Sequence, residues 1–151
     1  MFSFLKRPMI NAQGQKQVAE AIKEAESKTS GEVRVYMEHK CEGGDPLARA
    51  KLVFAKLQME KTEARNAVLI YIASGDKKFA LFGDTAIYEK AGGPVFWEKA
   101  AAMLTGHLKK NEIAEGLCNC IRMLGAALAE QFPADPSIKK NELPDEIVFG
   151  K

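Results

Sequence analysis

The chain has 151 residues, 46% hydrophobic and 28% charged, the composition of one ordinary globular domain with enough chain to bury a core without disulfides or metals. Lys and Arg (22) nearly balance Asp and Glu (20), so the net charge of +2 supplies no long-range field to gather nucleic acid or an acidic membrane, and no nucleic-acid partner is expected. The three cysteines are odd in number; Cys118 and Cys120, two apart in a helical pattern, point to different faces, and His39 and His107 complete no zinc-ligand spacing.

The elements follow in chain order. Met1 to Ile10 forms an N-terminal extension in which Lys6, Arg7 and Pro8 interrupt Phe2, Phe4 and Leu5 before any apolar run reaches signal-peptide length. A first helix is expected from Asn11, a good N-cap, to about Lys28, with Val18, Ile22 and Ala25 on one stripe. Glu32 to His39 alternates, Val33, Val35 and Met37 against Arg34, Tyr36 and Glu38, and predicts a half-covered strand beside the sheet centre. Gly43 and Gly44 turn the chain, Asp45 and Pro46 form an N-cap and N1 pair, and Leu47, Ala50, Phe54 and Leu57 mark a second helix.

Ala67 to Ala73 is apolar without alternation, the pattern of a strand covered on both faces, parallel to the first across the intervening helix. Ser74 to Lys77 is turn chemistry, so Lys78 to Gly83 is expected to return antiparallel. A helical turn to Lys90 follows, then a break at Gly92-Gly93-Pro94 and a helix carrying Trp97, Ala101, Leu104 and Leu108. In the last and longest helix, Asn111 is read as the cap; Ile113, Leu117, Ile121, Leu124 and Leu128 form the core stripe, and the end falls near Gln131, before Pro133. The domain spans 11–132, and the tail from Pro133 to Lys151 is read as irregular, packing loosely through Leu143, Ile147 and Val148. No stretch approaches the ~20 apolar residues of a spanning helix, and a cytoplasmic protein with reduced thiols is expected.

No Rossmann fingerprint, P-loop, nucleophile elbow, zincin helix or EF-hand loop is spelled out, so no organic cofactor is expected and catalytic residues stay unassigned. Topology gives the better lead. With two parallel strands and a third antiparallel, the starts of the first two and the finish of the third share one end of the sheet. That end collects Ser30, Gly31, Glu32, Arg65, Asn66, Gly83, Asp84 and Thr85. Glu32, Asn66 and Asp84 offer hard oxygen ligands for a divalent cation, and Arg65 offers a fork for an anion. The competing structural reading has Asp84 capping the next helical turn, Arg65 paired with Glu32, and Asn66 satisfying a strand-entry amide. The opposite end, with Glu38, His39, Glu42 and Asp45, ranks second: Asp45 is explained as a cap and His39 as solvated. Tyr71, Phe96 and Trp97 are assigned to the core, and Glu142, Asp145 and Glu146 to a solubilising tail.

Four pieces of this chain, Thr29-Ser30-Gly31-Glu32-Val33-Arg34-Val35, Arg65 to Ala73, Lys78 to Asp84, and the helical stretch with Gly116 and Ile121, resemble the TPM family in order and spacing between about Ile10 and Phe132. The resemblance implies a three-layer αβα sandwich with a mixed central sheet of about four strands and helices on both faces. It also implies binding of calcium or another divalent cation at acidic loops, and the acid phosphatase activity credited to some relatives. The matched polar positions are Glu32, Arg65, Asn66 and Asp84. The export signal and membrane helix that often flank the domain in relatives are not seen.

Two functions are expected to compete. One is a non-catalytic module that binds calcium or magnesium through Glu32, Asn66 and Asp84 and contacts a protein partner. The other is a metal-assisted phosphomonoesterase in which Arg65 clamps the phosphate. A peripheral membrane contact through Phe2, Phe4, Leu5, Lys6 and Arg7 would be marginal for so few residues.

Overall fold

The computed structural model describes residues 10–91, 93–137 and 146–150. The apolar opening, Gly92, and the tail residues Leu143, Glu142 and Asp145 lie outside them. The first helix, α1, spans Ala12–Glu26, and the Asn11 side chain accepts from the Gly14 N–H at 2.8 Å, as an N-cap should. Strand β1 covers Glu32–Glu38, helix α2 Pro46–Lys56, and β2 Ala67–Ala73. A 3-10 turn at Met59–Lys61, unsignalled by any apolar period, lies between α2 and β2. Strand β3 covers Lys78–Gly83, α3 Thr85–Lys90, α4 Gly93–Lys109, α5 Ile113–Gln131 and β4 Val148–Phe149.

The four strands lie in the order β3-β2-β1-β4, with β2 parallel to β1 and antiparallel to β3, so the sheet is mixed. Helices cover both faces. Val33, Val35 and Met37 of β1 and Val68, Ile70 and Ile72 of β2 meet Ile22 of α1, Leu104 of α4 and Leu117, Ile121 and Leu124 of α5. The other face, through Leu69 and Tyr71, meets Ala50, Val53 and Phe54 of α2. Side chains alternate across a strand, so each parallel strand feeds both cores at once. Cys118 and Cys120 belong to the first core, and burial pushes both thiols up, Cys120 to about 12.

Four expectations change. First, β1 is buried along all seven residues rather than half covered, because β2 and β4 flank it and its terminal Glu38 is paired inside the fold with Arg49 and Tyr71. Second, the tail is not wholly irregular: Val148 and Phe149 pair in parallel with Tyr36 and Met37, and Gly150 N–H donates to the Met37 carbonyl at 2.8 Å. Third, Asn111 does not cap α5 through its side chain. It takes φ +59 at the close of α4, where its N–H bonds to Leu108, and Glu112 occupies the N-cap position. Asn tolerates left-handed backbone better than most residues, so one residue type serves both roles. Fourth, α4 buries Ala100 beside Trp97 and Leu104, in place of Ala101.

Candidate functional site

Strand directions bring the starts of β1 and β2 and the finish of β3 together. Glu32 is in register with Ala67, and the Asp84 N–H donates to the Ala67 carbonyl at 2.9 Å, so Glu32, Ala67 and Asp84 lie in line across three strands. Two strand spacings put the Glu32 and Asp84 backbones about 10 Å apart. The group is unusually polar for its depth: Glu32 and Asn66 are 1% exposed, Asp84 3% and Ser30 6%. Charged groups are rarely this deep unless matched.

Arg65 and Asp84 form a fork-to-fork pair, with Nε to Oδ2 at 2.7 Å and Nη2 to Oδ1 at 2.8 Å. Asp84 Oδ1 also accepts from the Thr85 N–H at 2.7 Å, so this carboxylate caps α3 as well. The guanidinium therefore goes to Asp84, not to Glu32. The contact is lopsided, since the Arg65 side chain is 49% exposed and that of Asp84 only 4%. Hydrogen bonding and charge from Asp84 hold the Arg65 pKa above its ordinary value. Arg65 has φ +53, a conformation that costs a side-chain-bearing residue energy, and its carbonyl accepts from Ala86 N–H at 3.2 Å.

Beside this pair, Asn66 Nδ2 donates to Ser30 Oγ at 3.3 Å. Gly31 has no room for a side chain: a Cβ there would stand 2.7 Å from Leu128 Cδ2 and 3.1 Å from the Asn66 carbonyl. Thr29 Oγ1 accepts from Gly31 N–H at 3.0 Å and donates to the Phe132 carbonyl, pinning the end of α5 beneath the site. Glu26, 2% exposed, accepts from Val33 N–H at 2.8 Å. Sequence reasoning passed over Glu26, although it stands four residues after Ile22 on the buried stripe of α1, where a carboxylate is out of place.

A family model of the TPM domain matches residues 6–127. The chain belongs to the TPM domain family. It is similar to the BA42 protein of the psychrophilic bacterium Bizionia argentinensis, solved by NMR, at 35% identity over 95% of this chain and 97% of that one, with a TM-score of 0.86. The N-terminal domain of the cg2496 protein of Corynebacterium glutamicum shares the fold at 13% identity, a TM-score of 0.64, and coverage of 89% and 82%. No curated protein matches the chain.

At the other end of this TPM domain's sheet, Glu38 is the centre of a buried network. Its carboxylate receives Arg49 Nε at 2.8 Å and Nη2 at 3.0 Å, and it also accepts from the Tyr71 hydroxyl. Tyr36 stacks on Tyr71 with ring centroids 6.2 Å apart. Burial raises the Tyr71 pKa, and the neighbouring Glu38 raises it further. Asp45 caps α2 as expected, accepting from Leu47 and Ala48 N–H at 3.1 and 3.2 Å, and His39 is exposed. Both Glu38 oxygens are matched, which suits a structural clamp. Arg49 and Tyr71 escaped sequence reasoning because nothing local ties α2 and β2 to Glu38.

A cleft of about 410 Å³ opens beside Asp84 at the β3 edge, walled by Leu47, Lys51, Phe82, Tyr88 and Trp97. Leu47 and Tyr88 are 44% and 49% exposed, and Lys51 Nζ stands 5.9 Å above the Phe82 ring. The cleft is thus apolar along its wall and charged at its end. No helix among the described residues is long and apolar enough to cross a membrane.

Proposed function

We propose that this TPM domain is an ion-responsive interaction module, in which calcium or magnesium binds through oxygens of Glu32, Asn66 and Asp84 by displacing the Arg65 guanidinium. The observation that carries this reading is the lopsided pair: a carboxylate 3% exposed whose counter-charge sits on a half-exposed arginine in strained backbone. Asp84 Oδ1 already accepts two hydrogen bonds and Oδ2 one, so a hard cation gains full access only when the guanidinium leaves. Arg65 then becomes available to an anionic group of a protein partner seated in the adjoining cleft.

The test is an amide NMR titration with calcium and then magnesium on the native chain, Arg65→Gln and Asp84→Asn. Shifts should centre on Glu32, Asn66 and Asp84, occur at lower ion concentration in Arg65→Gln, and vanish in Asp84→Asn. Shifts centred elsewhere, or none at millimolar ion, would overturn the proposal. The Arg65 fork also favours a second reading, a metal-assisted phosphomonoesterase, but Asp84 cannot both ligate an ion and attack. Magnesium-dependent turnover of p-nitrophenyl phosphate, lost in Asp84→Asn, would put that reading first.

A further inference from the structure

A second, unrelated cluster lies where α4 turns into α5. His107, Glu112 and Glu115 each offer one ligand atom, and these atoms all fall within 4.8 Å of one another. The turn builds the cluster: Asn111 takes left-handed backbone, Glu112 N–H closes back onto the His107 carbonyl at 2.9 Å, and Glu115 follows three residues after Glu112 on the α5 surface. Gly116 holds the imidazole in place, since a Cβ there would stand 2.7 Å from His107 Cβ.

We propose that His107, Glu112 and Glu115 form a binding site for a borderline divalent transition ion of the zinc class, distinct in place and in donor chemistry from the all-oxygen site at the sheet end. The His107 Nδ1 to Glu112 Oε1 separation is 2.9 Å. Two ligands about 2.1 Å from one tetrahedral ion stand about 3.4 Å apart, so the pair needs to open by only about half an ångström to share one. An imidazole beside two carboxylates selects zinc or cobalt over calcium, which prefers oxygen alone. Beyond Glu115 a cavity of about 550 Å³, bordered also by Glu20, Glu24 and Asn119, leaves room for water to complete the coordination.

Asn119 is the positioning residue. Its Nδ2 faces His107 Nε2 at 3.2 Å, and Arg122 Nη1 donates to its Oδ1 at 2.7 Å, so in the ion-free ring Nδ1 carries the proton and donates to Glu112. When an ion takes Nδ1, that proton moves through solvent to Nε2. Asn119 then turns its carboxamide over to accept from Nε2–H, releasing Arg122. An outer partner of this kind fixes ring orientation and sets affinity by roughly 10–100-fold. Asn119→Asp, an acceptor in either orientation, should therefore tighten binding.

The experiment titrates the full chain with zinc chloride, read by calorimetry and by the side-chain nitrogen NMR signals of His107 and His39, with cobalt absorption reporting any thiolate ligation. Saturable zinc binding should shift the His107 nitrogens and leave His39 still. Affinity should fall at least tenfold in His107→Gln and in Glu115→Gln, rise in Asn119→Asp, and be unchanged in Glu42→Gln, an exposed carboxylate outside the cluster. The exposed Glu115 gives a variant that keeps its fold if His107→Gln does not. Absence of zinc binding at millimolar concentration, ligation by thiolates or His39, or full affinity in Glu115→Gln would overturn the proposal. Each result is independent of calcium or magnesium binding at Asp84.

Discussion

Glu38 is 5% exposed, yet each of its oxygens is matched, by the two-pronged Arg49 and by the Tyr71 hydroxyl. Burial pushes its carboxyl pKa up, but the hydrogen bonds from Arg49 and Tyr71 outweigh burial and hold it below 4.5. The folded value is below the unfolded one, so ionised Glu38 contributes stability that is present above about pH 4.5 and is lost as pH falls through the folded pKa. Tyr71→Phe removes a hydrogen bond to a buried charge, an expected loss of about 1.5–3 kcal/mol at neutral pH. The loss of stability below pH 4.5 should also become shallower, as urea unfolding at a series of pH values would read. An unchanged slope would mean that Tyr71 does not hold the carboxylate down. At the sheet's other end the same matching is weaker, because Arg65 leaves half its side chain in water.

At the scale of elements, α5 is seated by the close approach of Gly31 to Leu128. Gly31→Ala should cost about 1–3 kcal/mol by overpacking, seen in the denaturation midpoint, and would displace Asn66 with it. At the α4–α5 turn, Asn111→Gly should be neutral or slightly stabilising, while Asn111→Val should lose about 1–2 kcal/mol, because its φ of +59 excludes a branched side chain. Comparing the two by thermal melting separates backbone strain from capping. The same residue shows what sequence can and cannot tell: a polar residue between two helical patterns marks a boundary, but a cap and a left-handed close use the same residue type. Ala67 to Ala73 is legible because a run apolar on both faces has one strand solution. Alternation made β1 read as half covered, since the partners that bury Arg34, Tyr36 and Glu38 come from elsewhere in the chain. The two residues of β4 carry no periodicity; the β1 edge makes them a strand. The gathering of Ser30, Glu32, Asn66 and Asp84 at one sheet end followed from strand direction alone, whereas the pairing of Arg65 with Asp84 depended on register and backbone twist that spacing does not encode.

At the scale of the whole molecule, both central strands contribute to the cores on both faces, so neither helical layer has a sheet of its own to stand on. Unfolding should therefore be a single cooperative transition. Trp97, the chain's one tryptophan, is a sharp reporter of how α4 sits on β3: it is buried, a Cβ on Gly83 would stand 2.9 Å from its ring, it stacks with Tyr88, and it walls the cleft beside Asp84. Its fluorescence and the far-ultraviolet dichroism should give coincident urea curves, and separate midpoints would show that α3 and α4 leave the sheet before it melts. Calcium or magnesium at a hundredfold excess over Kd should move both curves together by about 2.7 kcal/mol, since an ion bound only by the folded state adds its linkage energy to the whole transition. If the ion shifts the tryptophan curve alone, Asp84 would be coupled to the α3–α4 layer and not to global folding, and the module would respond to ions by local ordering of the cleft.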